Sequence, residues 1–318
     1  MNLKKELIFL LSFFMASHIS SHEFNPAHLI ITEENNFSYE AIWMYPIKTI
    51  GARASLSFPE SCESLSEEPY RKGKYSVENI KLICDLSIKG KTIGVSGLSV
   101  LNDALVTINF LEGNRFEGLM NLKVPVINIP ADEQVFPTGY FFLGIDHLLG
   151  GVDHLLFVLG LLFLVFGWTN LLKTITAFTL AHSITLGLSV LNIIRLPTGS
   201  IEALIALTII YLAFEIGEES KYKKAPWMMA FGFGLLHGFG FAGALSEIGI
   251  ANEQLLLSLL FFNIGIEIGQ LIMIPIFLFG IWFLSKIKLK KVSYVAASYL
   301  LGGVGSFWFI ERVIGIVS

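Results

Sequence analysis

The sequence predicts a chain of mixed fold class: a small exported all-β, sandwich-like domain, followed by an all-α bundle of six transmembrane helices. Three observations predict this division. Hydrophobic residues make up 53% of the 318 residues and charged residues only 15%, which is typical of an integral membrane protein. The long apolar runs begin at Phe141, whereas residues 22–135 have the composition of a soluble domain. The first 21 residues have the layout of a secretory signal peptide.

The predicted domains are therefore a signal peptide at 1–21, an extracytoplasmic β domain at 22–135 and a transmembrane domain at 136–318. In the first of these, Lys4 and Lys5 precede an apolar run that is too short to span a membrane and ends in small, polar residues. An uncleaved anchor is the alternative, but the segment that follows has no membrane-like continuation.

The β domain is predicted from short alternating runs, such as residues 37–43, that turn-forming residues separate. This pattern indicates a small antiparallel β-sandwich with a binding or gating role rather than a catalytic one. Cys62 and Cys84 are the only cysteines and lie in this exported part, so we predict a disulfide between them, with free thiols or a metal site as alternatives. His22 and His28 could chelate a metal with the N-terminal amine, or be solvated residues of a fraying end.

Six apolar runs are each long enough to cross a hydrocarbon core of about 30 Å. They cover residues 141–166, 171–192, 200–216, 227–247, 255–284 and 292–317. The fifth is long and could tilt or kink at Pro275. Lysines concentrate in the connections after the first, third and fifth runs, which the positive-inside rule assigns to the cytoplasm. We therefore predict a multi-pass protein of the bacterial cytoplasmic (inner) membrane, with the β domain and the C-terminus outside.

The first run carries two Asp-His pairs, Asp146-His147 and Asp153-His154, seven residues apart. On a continuous helix the two histidines share one face and lie about 10.5 Å apart along the axis. Each ionisable group near the bilayer centre costs at least ~2.5 kcal/mol, so this face requires a polar interior, a water-filled path or a bound cation. A hydrogen-bonded structural cluster is the alternative. The expected spacing is long for one ion, which favours successive sites along a path or a supporting role for one histidine.

Other predicted spans add histidines and carboxylates. The candidate metal-binding side chains are Asp146, His147, Asp153, His154, His182, Glu215, His237 and Glu267. Mixed nitrogen and oxygen ligands suit a divalent transition metal ion better than magnesium or calcium, and the absence of membrane cysteines argues against copper(I). The glycines around His237 would let helix backbones approach closely.

The stretch from His147 to His154 resembles the HupE/UreJ family of hydrogenase and urease accessory membrane proteins. It matches the family pattern His-Pro-x-x-Gly-x-Asp-His except that Leu148 replaces the proline. The opening of the mature chain, residues 22–29, is similar to the branch with an exported N-terminal domain. In the family's second pattern His237-Gly238 agrees, but Ala244 replaces a glutamate, for which Glu247 or Glu267 could substitute. The resemblance implies nickel or cobalt as the ion and metalloenzyme-maturation proteins as partners. The ligand types by themselves leave zinc or copper as alternatives.

The leading functional hypothesis is a divalent transition-metal permease, or a metal-handling accessory protein, with a His/Asp ladder in its first span. An intramembrane metal-dependent hydrolase is an alternative, although the chain lacks His-Glu-x-x-His. A non-transporting assembly or sensor protein is another. The sequence contains no tract of lysine and arginine that would indicate nucleic-acid binding. The lipid bilayer and the metal ion are the other predicted partners.

Overall fold

The computed structural model of the chain describes residues 26–47, 54–98, 103–131, 138–217, 225–248 and 255–317; the side chains of Thr138, residues 241–248 and Leu255 are not described. The predicted signal peptide and His22 lie outside these residues. The chain forms two compact units, which are described separately. One consists of Phe24–Gly144 with Glu247–Gly265, and the other contains Ile145–Ser246 with Ile266–Ser318.

The N-terminal part of the chain is rich in β-structure, as predicted. Its strands are β1 (Ala27–Asn35), β2 (Ser38–Pro46), β3 (Ser55–Ser57), β4 (Cys62–Ser66), β5 (Tyr70–Lys72), β6 (Tyr75–Cys84), β7 (Thr92–Ser96), β8 (Ala104–Asn109), β9 (Arg115–Met120) and β10 (Val126–Asn128). They form a seven-stranded sheet in the order β4-β6-β2-β1-β8-β9, with β5 also pairing with β6, and a three-stranded sheet in the order β10-β7-β3.

Alternation along the strands places one core between these sheets. Successive side chains of a strand point to opposite faces, so Leu29 and Trp43 of the large sheet pack in the same buried cluster as Ile93 of the small one. The prediction of a fully antiparallel sandwich is wrong at one pair, since β1 and β8 run parallel. Parallel pairing needs a long crossover, and the six strands between β1 and β8 supply it.

The second face of the large sheet, opposite the core, is also buried and carries polar side chains. His28 is 1% exposed and its Nε2 lies 3.0 Å from the Thr107 hydroxyl, so the interpretation of His28 as a solvated residue of a fraying chain end is wrong. On the neighbouring strand β9, Arg115 and Glu117 form a buried ion pair at 2.8 Å. Burial raises the pKa of Glu117 although Arg115 is beside it, because desolvation disfavours the charged form.

Cys62 and Cys84 form a disulfide, which confirms that prediction. The two cysteines are direct partners across the antiparallel pair of β4 and β6. Their separation of 22 residues means that the bond closes a loop in the unfolded chain and so lowers its entropy.

We expect the double substitution Cys62→Ser, Cys84→Ser to lower the free energy of unfolding of the β domain by about 2–4 kcal/mol. Urea unfolding followed by hydrogen exchange of the β2 and β6 amides measures this loss. The matched control is the reduced wild-type protein, which should be as stable as the variant. An unchanged midpoint in the oxidised wild type and the variant would contradict the prediction.

The C-terminal part of the chain is helical. Its helices are α1 (Thr138–Gly150), α2 (Val152–Leu164), α3 (Trp168–Val190), α4 (Thr198–Gly217), α5 (Pro226–Ile248), α6 (Leu255–Lys286) and α7 (Lys290–Val317). Among the described residues, four helices are long and apolar enough to cross a membrane: α3, α4, α6 and α7. The bent pair of α1 and α2 makes a fifth if it is one span. Helix α6 continues through Pro275, the position at which the sequence predicts a tilt or kink.

The first predicted span, residues 141–166, is not the continuous helix that the sequence pattern indicated. It is broken at Gly151, whose backbone is extended at φ −81° and ψ 100°. The second half is bent by 72° away from the direction of the first. The adjacent glycines Gly150 and Gly151 explain the position of the break, because glycine stabilises a helix about 1 kcal/mol less than alanine.

Glycines bring α5 close to α3. A Cβ on Gly234 would collide with the carbonyl oxygen of Phe178, and one on Gly238 with the carbonyl oxygen of His182 and the hydroxyl of Thr185. Residue numbers rise together along the two helices, so α3 and α5 run parallel. The close approach of these backbones places His237, which precedes Gly238, next to His182.

Candidate metal centre

Four of the predicted site residues are buried histidines that converge from four helices. His147 ends α1, His154 begins α2, His182 lies in the second half of α3 and His237 lies in α5. The ring centroids of His147 and His154 are 4.6 Å apart, those of His147 and His182 6.4 Å, and those of His154 and His237 5.3 Å. These four rings therefore form one contiguous cluster.

The expected spacing of about 10.5 Å between His147 and His154 is wrong, because it assumed a continuous helix. The chain bends by 72° at the break beside Gly151, and the two rings are in edge contact. The distance between the two histidines therefore no longer favours successive sites, or a supporting role for one of them, over a single site.

Asp153, His154 and His237 offer ligand atoms that lie within 4.8 Å of one another. The Asp153 Oδ1 lies 3.1 Å from the His154 Nδ1. Among the described residues, the His154 Nε2 and the His237 Nδ1 are buried without a hydrogen-bond partner. A buried polar atom without a partner is costly, so two such nitrogens beside a carboxylate fit a divalent transition metal ion.

Aromatic rings cover one side of the cluster. Phe157 and Phe178 each lie 5.2 Å from the His237 ring, measured between centroids, and Phe178 is stacked on His182 at 6.2 Å. The second nitrogen of His237, Nε2, is 3.5 Å from the Thr208 hydroxyl. The apolar rings of Phe157 and Phe178 lower the local dielectric constant, which strengthens the attraction between the Asp153 carboxylate and a cation.

The remaining predicted residues are not part of this three-residue group. Glu267 accepts a hydrogen bond of 3.0 Å from the Thr176 hydroxyl, between α6 and α3. Glu215, near the end of α4, interacts with the Tyr211 hydroxyl. Asp146 is half-buried near the end of α1. The side chains of Ala244 and Glu247 lie outside the described part of the chain.

Sequence reasoning missed the residues that shape the cluster. Phe178 precedes His182 by four residues and Phe157 follows His154 by three, so both lie on the histidine-bearing faces of their helices. That spacing is a signal that the sequence contained. Thr208 carried no such signal, because only the packing of α4 against α5 brings it to His237.

Comparison with known proteins identifies the family of the chain. A family model described as HupE / UreJ protein matches residues 125–312, which is more than half of the chain. No curated protein and no solved structure matches significantly. The matched region contains α1 to α6, most of α7 and the whole histidine cluster. The chain is therefore a multi-pass membrane protein that belongs to the HupE/UreJ family.

Proposed function

We propose that the protein is a permease for a divalent transition metal ion, with nickel or cobalt as the substrate. The HupE/UreJ family is generally linked to nickel and cobalt handling in metalloenzyme maturation. The observation that carries the proposal is the convergence of four buried histidines and Asp153 at the break in the first span. Ionisable groups at membrane depth are costly, and a cation path accounts for their presence.

This set of ligand atoms suits an ion that must be released from the site after it has bound. His154 and His237 provide imidazole nitrogens, and Asp153 provides the negative charge that offsets the lost hydration of the cation. A closed cage of four strong ligands would retain the ion, as in structural zinc sites. His147 and His182 are the next donors along the cluster, so the ion exchanges ligands stepwise.

The helix directions support six spans with the β domain outside. Gly265 and Gly269 of α6 approach Phe141 and Leu148 of α1 in rising order, so α1 and α6 run parallel. If α1 enters from outside, α6 must start outside too, which requires an odd number of crossings between α2 and α6. Helices α3, α4 and α5 supply them, and α5 is 23 residues long.

We expect a reporter that is active only in the cytoplasm to stay inactive when it is fused after Ser318. Six spans and an exported β domain place the C-terminus outside the cytoplasmic membrane. The matched control is the same reporter fused in the connection between α4 and α5, after Lys223, where it should be active. Activity at the C-terminal fusion would show that the number of spans is odd.

One observation favours a hydrolase as the second candidate. Catalytic zinc sites have three protein ligands and an open position, and Asp153, His154 and His237 could form such a set. Metal analysis of the purified protein separates the candidates. Weakly held nickel or cobalt, with uptake into proteoliposomes, supports the permease, whereas tightly retained stoichiometric zinc without uptake supports the hydrolase. No bound metal would favour a non-transporting assembly or sensor protein.

A further inference from the structure

Gly151 occupies a crowded position at the break between α1 and α2. A Cβ built on it would lie 2.5 Å from the His154 Nδ1, 3.0 Å from the Asp153 Oδ1 and 3.0 Å from the His147 carbonyl oxygen. The φ and ψ angles of −81° and 100° are open to any residue. Glycine is therefore required here by the neighbouring side chains and not by the backbone conformation.

The crowding decides which nitrogen of His154 an ion can reach. The Nδ1 is turned toward Gly151 and lies 3.1 Å from the Asp153 carboxylate, which accepts a hydrogen bond from it. A carboxylate in this position fixes the imidazole as the tautomer with its proton on Nδ1. The Nε2 then carries the free lone pair, and this atom has no hydrogen-bond partner among the described residues.

We propose that Gly151 is a positioning residue for the metal site: the space left by its missing side chain holds the His154 ring, so that the Nδ1–H donates to the Asp153 carboxylate and Nε2 binds the ion. The inference rests on the proposed function and extends it, because it assigns a role to a residue that has no side chain with which to bind the ion. A methyl group at this position would displace the ring and separate Nδ1 from Asp153.

A double-mutant cycle on thermal stability tests the steric part without any metal. Gly151→Ala should lower the melting temperature of the detergent-solubilised protein in the wild-type background. In the His154→Ala background, where the ring is absent, the same substitution should have much less effect. If Gly151→Ala does not fold, folding of the Gly151→Ala, His154→Ala protein supports the proposal. An equal effect in both backgrounds, or failure of both proteins to fold, would overturn it.

Cobalt(II) absorption tests the ligand geometry. The wild-type protein titrated with cobalt should show d–d bands, and Gly151→Ala should weaken cobalt binding at least tenfold and change the band pattern. Gly302→Ala is the matched control, because a Cβ there would lie 3.5 Å from Ala213, an ordinary contact. Identical spectra and affinity for Gly151→Ala and the wild type would refute the positioning role, whereas the absence of cobalt binding by the wild type would refute the proposed function itself.

Discussion

The double variant His154→Ala, Asp153→Asn is expected to abolish accumulation of nickel and cobalt in cells while the protein still inserts into the membrane. His154 is one of the three residues whose ligand atoms lie within 4.8 Å of one another, and Asp153 carries the group's negative charge. Loss of a single supporting partner of a metal ligand costs 10–100-fold in affinity, and this variant loses a ligand as well. We therefore expect accumulation to fall to the level of cells without the protein.

Accumulation of each isotope, normalised to the amount of protein in the membrane, measures this effect. Glu311→Gln is the control, since it removes an exposed carboxylate from α7, a helix that contributes no residue to the cluster. It should accumulate nickel and cobalt as the wild type does. Wild-type accumulation by the double variant, for nickel, cobalt, zinc and copper alike, would show that the ion does not pass through the cluster.

Gly238→Ala is expected to damage both the packing and the metal site. The added methyl group would collide with the His182 carbonyl oxygen and the Thr185 hydroxyl, so α5 must move away from α3. Overpacking of this kind costs about 1–3 kcal/mol. Because His237 is the preceding residue, the same movement shifts its ring relative to His154 and should weaken cobalt binding.

Gly232→Ala is the matched control on the same helix. A Cβ on Gly232 would have no atom of the described residues within 4 Å, so the substitution adds the same methyl group without a collision with them. Its melting temperature and cobalt affinity should equal or slightly exceed those of the wild type, since alanine favours the helix by about 1 kcal/mol over glycine. Equal melting temperatures for the two variants would contradict the close packing of α3 and α5.

The sequence predicted correctly those features that depend on a local pattern of residues. Alternation along the strands identified the β-rich part, the two cysteines identified their disulfide, and apolar runs identified the helices. It was misleading at Gly151, because a 3.6-residue period was assumed to continue through two adjacent glycines. The resulting spacing of His147 and His154 was therefore too large.

Contacts between distant segments could not be predicted in this way. The parallel pairing of β1 with β8 depends on the path of six intervening strands. The hydrogen bond between Glu267 and Thr176 joins residues 91 positions apart, and nothing in the local pattern of either helix indicates it. A carboxylate on an apolar helix can serve a metal ion or a neighbouring hydroxyl, and only the tertiary packing distinguishes the two.

The position of the break in the first span also bears on how membrane voltage acts on the protein. Gly151 separates two half-helices of 13 residues each; if these form one span, as the proposed topology requires, an ion held beside Gly151 lies near the middle of that span. For a doubly charged cation, crossing half of a 100 mV potential is worth about 2.3 kcal/mol. With the cytoplasm negative, this energy strengthens binding from the outside about fifty-fold. Affinities measured in detergent, where no voltage exists, will therefore understate those in an energised membrane by up to that factor.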